Sequence, residues 1–329
     1  MPGLTIGIDL GTQNIVCAVF GKGVVVNEPC IAAFKNDKLI AVGSAAFEML
    51  EKTPDYIKTV RPVTNGKISD FSTCVLILQY FISKIMKNMV LKPNIISCLP
   101  CAATGLDKKI MQDLFFEAGA ARCEFLDASL CSGIGSGIDI QNEKGSMLVD
   151  IGAGLTDIAV IAKGKVIAQK TINTSSGAFD EAIIRQFRKD RNVIVSQRTA
   201  EKIKKRVGCA ILPQVEFAVG QKGKNALNSL PVFFEADSTT CFKALSPSLN
   251  RLADGIKEVM EQVSAEIMAD INETGLYLTG GGSLLKDLDK MLSKRLKVKT
   301  ILVENPFESV ARGLIFNCEN KEESKNDRV

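Results

Sequence analysis

Histidine and tryptophan are both absent from this sequence of 329 residues. Without histidine, the chain has no Ser–His–Asp or Cys–His catalytic group and no metal site with a histidine ligand. Any chemistry must therefore come from carboxylates, hydroxyls, basic side chains and the backbone.

Long apolar runs and strong net charge are missing as well. No stretch reaches the roughly 18 uninterrupted apolar residues of a membrane-spanning helix, and the N-terminus lacks the pattern of a signal peptide. The net charge is only +4 and no basic block is present, which argues against a nucleic-acid-binding arm. We expect a soluble cytosolic protein that does not bind nucleic acid.

Ten cysteines are present, mostly within apolar strings, as is typical of small buried hydrophobic residues in a reducing compartment. Cys98 and Cys101 form a C-x-x-C motif. A zinc site would need a second pair or histidine ligands, and a redox role would need a supporting context. We therefore favour a packing role for this pair.

The string SMLVDIGAGLTDIAV, residues 146–160, contains the first candidate site. An apolar strand ends at Asp150, a turn follows at Gly152-Ala153-Gly154, and a second apolar strand begins. Glycine lets the backbone approach a ligand closely, and a concave run of N–H groups can bind phosphate. Asp150 could hold hydrated Mg²⁺, which prefers oxygen ligands. A plain glycine turn fits the string equally well.

Near the N-terminus the same design recurs in LTIGIDLGTQNIVCAVF. Here Asp9 precedes the turn Gly11-Thr12-Gln13-Asn14, 141 residues before Asp150. This spacing is the size of a domain and predicts two similar halves.

A third string, GLYLTGGGSLLKDLDKML, predicts a strand, three glycines at 280–282 and a helix. Ser283 is the predicted N-cap of that helix. A glycine turn at a helix N-terminus would be a second surface that favours anions.

Composition predicts a large hydrophobic core, since 46% of the residues are hydrophobic, and two domains are expected at this length. Helical spacing of apolar residues covers 71–89, 180–192, 199–207 and 246–268. Between Pro213 and Cys241, alternating Val and Phe predict strands joined by a turn at Gly220–Gly223.

Two Asp-bearing glycine hairpins followed by strand–GGG–helix resemble the actin-like ATPases, and within them the bacterial MreB and MreB-like (Mbl-type) cell-shape family. The resemblance runs from residue 4 to about residue 316. It includes the strings KGVVVNEPCIAAF, AVGSAAFEML, RPVTNGKISDF, FDEAI, TAEKIKKRVG and LTGGGSLLKDLD.

The resemblance implies the α/β actin-like fold, in which two ribonuclease-H-like halves surround a nucleotide cleft and each half carries a smaller subdomain. Subdomain IA would comprise 1–32 and 71–145, and IB would comprise 33–70. Subdomain IIA would comprise 146–180 and 246–316, and IIB would comprise 181–245. Residues 317–329 are charged and predict a disordered tail.

The same resemblance implies that ATP or ADP binds with Mg²⁺ between the two hairpins, with the metal near Asp9 and Asp150. Glu201 would accept from the ribose hydroxyls, and Lys204 would lie near the base. The residues implied for the nucleotide are Gly11, Thr12, Gln13, Asn14, Gly152, Ala153, Gly154, Ser176, Gly177, Glu201, Lys204, Gly280, Gly281, Gly282 and Ser283.

One departure from the family pattern concerns hydrolysis. The family has two glutamates and a proline where this chain has Asp127, Ala128 and Ser129, and the glutamate replaced by Ala128 is thought to place the attacking water. Asp127 and the Thr156 hydroxyl are the remaining candidate catalytic groups. Because phosphoryl transfer depends on positioning that water, we expect nucleotide binding with slow or absent hydrolysis.

A second departure lies near the phosphates. Asn173–Gly177 stands where relatives have two glycines and an Asp, and Ala153 replaces the middle glycine of the second turn. These residues allow less close approach of the backbone than glycine does.

Membrane contact and assembly are implied too. The loop Met89-Val90-Leu91, beside Lys84, Lys87 and Lys92, would dip into an anionic lipid surface at the inner face of the cell membrane. The family polymerises into paired protofilaments, so the expected partners are further copies, MreB paralogues and cell-wall or motility machinery.

Three other functions stay open. A non-hydrolysing scaffold that co-assembles with active relatives would fit Ala128. A sugar kinase shares the GIDLGTQ-like start but would need a catalytic Asp for the sugar. A chaperone ATPase would carry a substrate domain after its nucleotide-binding part.

Overall fold

The computed structural model describes residues 4–50, 54, 56–87, 89 and 91–316. The predicted tail, residues 317–329, and Val90 lie outside the described residues. The chain forms two compact units. The first unit comprises residues 1–142, 161–166 and 307–329, and the second comprises 143–160 and 167–306.

Residues up to 142 form ten strands and four helices within the part that the structure describes. They are β1 (Thr5–Leu10), β2 (Asn14–Val19), β3 (Gly23–Pro29), β4 (Ala32–Lys35), β5 (Lys38–Val42), α1 (Ser44–Met49), β6 (Ile57–Val60), β7 (Val63–Thr64), β8 (Lys67–Ile68), α2 (Phe71–Met86), β9 (Asn94–Leu99), α3 (Gly105–Glu117), β10 (Arg122–Asp127) and α4 (Ala128–Gly135).

The main sheet of the first unit has the strand order β10-β9-β1-β2-β3. β1 pairs antiparallel with β2, and β9 runs parallel to both β1 and β10. Apolar residues of β1 and α2, including Ile6, Ile8 and Phe81, are buried together. Asp70 begins α2 by accepting the Thr73 N–H at 3.0 Å, as N-cap residues do.

Elements from residue 143 onward follow the same plan. They are β11 (Ser146–Ile151), β12 (Thr156–Ala162), β13 (Lys165–Ile172), α5 (Ser176–Arg191), β14 (Val193–Ile194), α6 (Gln197–Val207), β15 (Ala218–Asn225), β16 (Pro231–Asp237), α7 (Ser238–Met260), α8 (Ala265–Thr274), β17 (Leu276–Thr279), a 3-10 helix (Gly281–Leu284), α9 (Leu288–Leu296) and β18 (Thr300–Leu302).

The second sheet repeats the order of the first. Its order is β13-β12-β11-β17-β18, so three strands consecutive in the chain are followed by β17 and β18, which are parallel to each other and, through β17, to β11. The sequence predicted a repeat of a strand that ends in Asp. The two copies of this strand lie in two sheets that have the same strand order. α5, α6 and α7 contribute to the core of this unit with Phe179, Ile203 and Leu249.

Each unit also carries small sheets. The first has β5-β4-β6 and β7-β8, and the second has β14-β15-β16. The predicted turn at Gly220–Gly223 is wrong, because β15 runs through it and the chain reverses between β15 and β16. A Cβ at Gly220 would lie 2.5 Å from the Phe233 ring, and one at Gly223 would lie 2.5 Å from Val193. The glycines make room for neighbouring side chains.

The periodic stretch 246–268 forms parts of two helices rather than one. α7 ends at Met260, and Ser264 begins α8 by accepting the Ile267 N–H at 3.3 Å. The helical spacing of apolar residues continues in the sequence across the break between α7 and α8, because Met260, Val263 and Ile267 all pack on the same core.

The helical residues 309–316 group with the first unit, whereas the sequence placed them with the second half. Gly313 lies against the Cys131 carbonyl of α4, and Ile315 packs with Val16 and Ala18 of β2. The chain thus returns to its first unit after β18, which local sequence patterns do not reveal.

Candidate functional site

The turn between β1 and β2 is closed by a hydrogen bond from the Gly11 N–H to the Asn14 carbonyl, at 3.0 Å. A Cβ on Gly11 would lie 2.8 Å from that carbonyl oxygen, so the turn requires glycine. The Thr12 hydroxyl accepts from the Gly66 N–H at 3.0 Å. The Gln13 carbonyl accepts from the Cys30 N–H at 2.8 Å. The turn is fixed by its neighbours.

Asp9 lies at the carboxyl end of β1, opposite Val16. The residue is half-buried, and burial raises the pKa of its carboxyl to about 6. An ionised carboxylate at such a position is stabilised by a nearby cation. Asp127, at the end of β10, lies at the same sheet edge, two strand spacings or about 10 Å along it.

The turn between β11 and β12 repeats this geometry. The Gly152 N–H donates to the Leu155 carbonyl at 2.9 Å, and a Cβ on Gly152 would lie 3.0 Å from the same oxygen. Gly154 is buried, and within the described residues no hydrogen bond from its N–H is present. Buried backbone donors almost always have a partner, so this N–H is a candidate contact for a bound anion.

The first turn of α5 packs directly on this hairpin. The Ser176 N–H donates to the Gly152 carbonyl at 2.9 Å, and the Gly177 N–H donates to the Ala153 carbonyl at 3.0 Å. A Cβ on Gly177 would lie 2.6 Å from the Ala153 oxygen. The two N–H groups at the start of α5 are therefore used to position the turn.

Asp150 lies beside the three consecutive glycines. β11 and β17 pair in parallel with Asp150 opposite Thr279. A Cβ on Gly280 would lie 2.4 Å from the Asp150 Oδ1 atom, and Gly280 has a φ of 75°. A Cβ on Gly282 would lie 2.3 Å from Ile151. Glycine is required at both positions, and the structure brings Asp150 and the glycine turn together.

The prediction that Ser283 is a helix N-cap is wrong. Ser283 lies within the 3-10 helix Gly281–Leu284, and its buried hydroxyl donates to the Gly280 carbonyl at 2.6 Å. α9 begins only at Leu288, after Asp287 in a left-handed conformation. Three glycines at close quarters favour a tight 3-10 turn, so the surface at this turn is shaped by close backbone approach rather than by an α-helix N-terminus.

α6 carries Glu201 and Lys204. Glu201 lies 2.6 Å from Lys205 Nζ. The Lys204 ammonium donates to the Ser176 carbonyl at 2.9 Å and to the Ser176 hydroxyl at 2.6 Å, and lies 2.9 Å from Asp180 Oδ1. Burial is the main cause that raises the pKa of Asp180 to about 6, and Lys204 opposes it. Sequence analysis assigned no role to Asp180, although this residue lies in the string FDEAI that matches the family.

The candidate catalytic groups are both hydrogen-bonded to the protein. Asp127 is the N-cap of α4, and its Oδ1 atom accepts from the Ser129 and Leu130 N–H groups at 2.8 and 3.1 Å. The buried Thr156 hydroxyl donates to the Thr174 carbonyl at 2.5 Å. Ala128 is the first residue of α4 and offers no polar group.

The donor set fits Mg²⁺ rather than a soft metal. Within the described residues there is no group of three or more Cys, Asp or Glu side chains that could enclose an ion. Mg²⁺ needs no such cage, because it keeps several waters and takes one or two carboxylates together with phosphate oxygens. Asp9 and Asp150, each at the end of a central strand, are ligands of that kind.

Within the second unit the structure therefore brings together Asp150, the turn at 152–154, the start of α5, Lys204 and the glycines at 280–282. Within the first unit it brings together Asp9, the turn at 11–14 and Asp127. Among the described residues, no helix is long and apolar enough to cross a membrane.

Comparison with known proteins identifies the family. The family described as MreB/Mbl protein matches residues 3–326. The cell shape-determining protein Mbl of Bacillus subtilis is 35% identical over 311 residues, which cover 94% of this chain and 93% of Mbl. The cell shape-determining protein MreB of Escherichia coli K12 is 33% identical over 316 residues, which cover 94% of this chain and 91% of that protein.

Solved structures agree with this result. MreB5 of Spiroplasma citri bound to ADP has a TM-score of 0.92 at 28% identity, covering 98% of this chain and 99% of MreB5. A MamK double helical filament has a TM-score of 0.83 at 18% identity, covering 96% of this chain and 98% of MamK, and supports the fold alone. This chain therefore belongs to the MreB/Mbl family of cell-shape-determining cytoskeletal proteins and has the actin-like fold.

Proposed function

We propose that this chain is a nucleotide-binding bacterial actin that assembles into membrane-associated filaments and hydrolyses ATP slowly. The observation that carries the nucleotide part is that Gly154 is a buried residue whose N–H donates no hydrogen bond within the described residues. MreB5 of Spiroplasma citri has been solved with ADP and with AMPPNP, which supports an adenine nucleotide as the ligand here.

The two glycine turns are the proposed phosphate contacts. Each is closed by the same glycine N–H to carbonyl hydrogen bond, which leaves the inner residues of the turn to face a ligand. Backbone N–H groups arranged in a concave turn bind anions. We propose that Gly11–Asn14 and Gly152–Gly154 are phosphate contacts of the nucleotide, as the family resemblance implies.

Asp9 and Asp150 would hold hydrated Mg²⁺, which neutralises phosphate charge when bound. The adenosine would contact the glycine turn at 280–282 with Ser283, and Glu201 would accept from the ribose. We also propose the four subdomains given above, except that residues 309–316 belong to the first half. The small sheets β5-β4-β6 and β14-β15-β16 belong to the two smaller subdomains.

Hydrolysis should be slow because Asp127, the carboxylate at the end of β10, is one methylene shorter than the family's water-placing glutamate and lies one position before it. Asp127 uses one oxygen to cap α4, and the next residue is Ala128. We expect wild-type protein to bind Mg–ATP in calorimetry and release phosphate slowly, and Ala128→Glu to raise the rate by roughly tenfold or more. Glutamate in the first turn of a helix is also favoured by the helix dipole.

Ala128→Met, which adds length without a polar group, is the matched control and should leave the rate unchanged. Rapid phosphate release by wild type, with no further gain in Ala128→Glu, would contradict slow hydrolysis. If wild type and both variants bind ATP and none of them releases phosphate, the second candidate, a non-hydrolysing scaffold, is supported. Absence of ATP binding by wild type would reject the nucleotide proposal itself.

Self-assembly needs an exposed contact surface, and the β15–β16 hairpin offers one. Leu227 is 81% exposed, and Leu230 and Phe233 are also exposed. The turn is held rigid, because the Asn225 side chain accepts from the Leu227 and Asn228 N–H groups. Several exposed apolar side chains grouped on one hairpin favour a protein contact.

We therefore expect Leu227→Ser with Leu230→Ser to raise the critical concentration for assembly by about tenfold or more, since buried apolar anchors dominate interfaces. Sedimentation of purified protein with Mg–ATP measures it. Leu106→Ser is the control, because Leu106 is similarly exposed but lies on α3 of the first unit. An equal effect of both changes would reject this hairpin as the contact.

Membrane association is the remaining part of the proposal. Met89 and Leu91 are exposed, and Lys84, Lys87 and Lys92 lie close by in the sequence. Apolar side chains beside lysines suit an anionic lipid surface. We propose a location at the inner face of the cell membrane, with paralogues and cell-wall or motility machinery as partners.

A further inference from the structure

The Lys204 ammonium lies in a buried polar cluster between α5 and α6. The Lys204 side chain is only 10% exposed and that of Asp180 only 4% exposed. The three oxygens around Nζ are the Ser176 carbonyl at 2.9 Å, the Ser176 hydroxyl at 2.6 Å and Asp180 Oδ1 at 2.9 Å.

Ser176 accepts two hydrogen bonds from the Lys204 ammonium, one at its carbonyl and one at its hydroxyl. Asp180 Oδ1 is an ion-pair partner at 2.9 Å and accepts no hydrogen bond within the described residues. A lysine ammonium has three N–H donors and no acceptor, so Ser176 uses two of them and Asp180 balances the charge. Burying an ammonium costs free energy unless its charge is paired. If Lys204 left the cluster to reach a base, Asp180 would remain as a buried carboxylate without its ion-pair partner.

The cluster is connected to the proposed phosphate turn by two further hydrogen bonds. Ser176, which accepts twice from Lys204, donates its own N–H to the Gly152 carbonyl at 2.9 Å. The next residue, Gly177, donates to Ala153 at 3.0 Å. Lys204 thus fixes the residue that holds the turn containing Gly154.

We propose that Lys204 is a positioning residue for the phosphate turn at 152–154, acting through Ser176, and not a contact of the base. The inference rests on the proposed nucleotide function, which it deepens by separating phosphate recognition from base recognition. The Ser176 hydroxyl is part of the device, because glycine at this position would supply only the carbonyl.

Two ligands distinguish the two roles of Lys204. ATP contains the base, and inorganic triphosphate contains only the phosphates. Lys204→Met removes the ammonium and keeps an apolar chain of similar length. We expect it to weaken binding of both Mg–ATP and Mg–triphosphate by the same factor, roughly tenfold, the value of a charge-assisted hydrogen bond. Loss of ATP affinity with unchanged triphosphate affinity would overturn the inference and assign Lys204 to the base.

Hydrogen exchange provides a local readout that a general loss of stability would not give. In Lys204→Met the Ser176 and Gly177 amides should exchange faster, while the amides within β11 and β17 keep their protection. Faster exchange across the whole unit, with no selective change at 176–177, would overturn the inference.

If Lys204→Met does not fold, Ser176→Ala provides the test instead. It removes one oxygen from the cluster and leaves the Lys204–Asp180 pair in place. We expect a several-fold loss for both ligands and faster exchange at 176–177, and unchanged binding and exchange would count against the inference. Glu201→Gln, on the same helix, is the control and should weaken ATP while leaving triphosphate unaffected. Wild-type protein that binds neither ligand would reject the proposed function, a result distinct from all of these.

Discussion

Gly313→Ala is expected to destabilise the protein by more than about 4 kcal/mol, the range reserved for severe steric damage. A Cβ on Gly313 would lie 1.8 Å from the Cys131 carbonyl oxygen and 2.6 Å from its carbon. On the facing helix, a Cβ on Gly135 would lie 1.8 Å from the Ser309 carbonyl oxygen. The two helices touch backbone to backbone, so no side chain can move aside to admit a methyl group.

Urea unfolding followed by circular dichroism measures this change. Gly105→Ala is the matched control, because no atom lies within 4 Å of a Cβ there and Gly105 is the first residue of α3. Alanine is a better helix former than glycine by about 0.8–1 kcal/mol, so this control should be neutral or slightly stabilising. Equal urea midpoints for Gly313→Ala and wild type would show that α4 and the helix at 309–316 can move apart at little cost in free energy.

The two Asp–Gly hairpins could be predicted because their geometry is local. The hydrogen bonds from Gly11 to Asn14 and from Gly152 to Leu155 close within four residues. Strand, carboxylate and glycine are therefore adjacent in the sequence. The repeat predicted two similar halves, and the two five-stranded sheets share one strand order.

The errors concern distant contacts. Gly313 and Gly135 lie in ordinary-looking strings, and nothing local shows that they meet. Gly220 and Gly223 resembled a turn, yet they occupy a strand beneath side chains from elsewhere in the chain. Ser283 had a cap-like sequence, but its hydroxyl bonds to Gly280 within a 3-10 turn.

The sequence also does not show which charged side chains are buried. The string TAEKIKKRV shows four basic residues on one helix, and sequence alone does not say which one is buried. Only the packing of α6 on α5 selects Lys204 and pairs it with Asp180. The roles of these residues therefore depend on tertiary structure rather than on composition.

Asp180 should also make stability depend on pH. Burial raises the pKa of its carboxyl to about 6 in the folded protein, whereas an unfolded Asp titrates near 3.9. The folded state therefore binds the Asp180 proton more tightly than the unfolded state does. Protonation of Asp180 stabilises the folded protein at low pH, and this contribution is lost as pH rises from about 4 through 6. A shift of about two pKa units corresponds to roughly 3 kcal/mol.

Other charged groups also affect the pH dependence of stability, and their contributions must be separated from that of Asp180. Lys204, Glu201 and Lys205 face Asp180 from α6. The pKa of Asp9 is raised in the same direction, so removing Asp180 should abolish only part of the slope. The carboxyls of Asp107 and Asp237 have pKa values held below the usual range, and they act below about pH 4, outside the window.

Asp180→Asn cannot titrate and isolates this contribution. Unfolding free energies should be measured by urea at pH 4 and pH 7, with a chelator present and without nucleotide. We expect the decrease between these two pH values to be smaller in the variant by up to about 3 kcal/mol. The difference between pH values is the decisive quantity, because the loss of the Lys204 pair changes both measurements. Asp190→Asn, on the exposed side of α5, is the matched control. An unchanged decrease in Asp180→Asn would show that Asp180 is ionised in the folded state across the whole range.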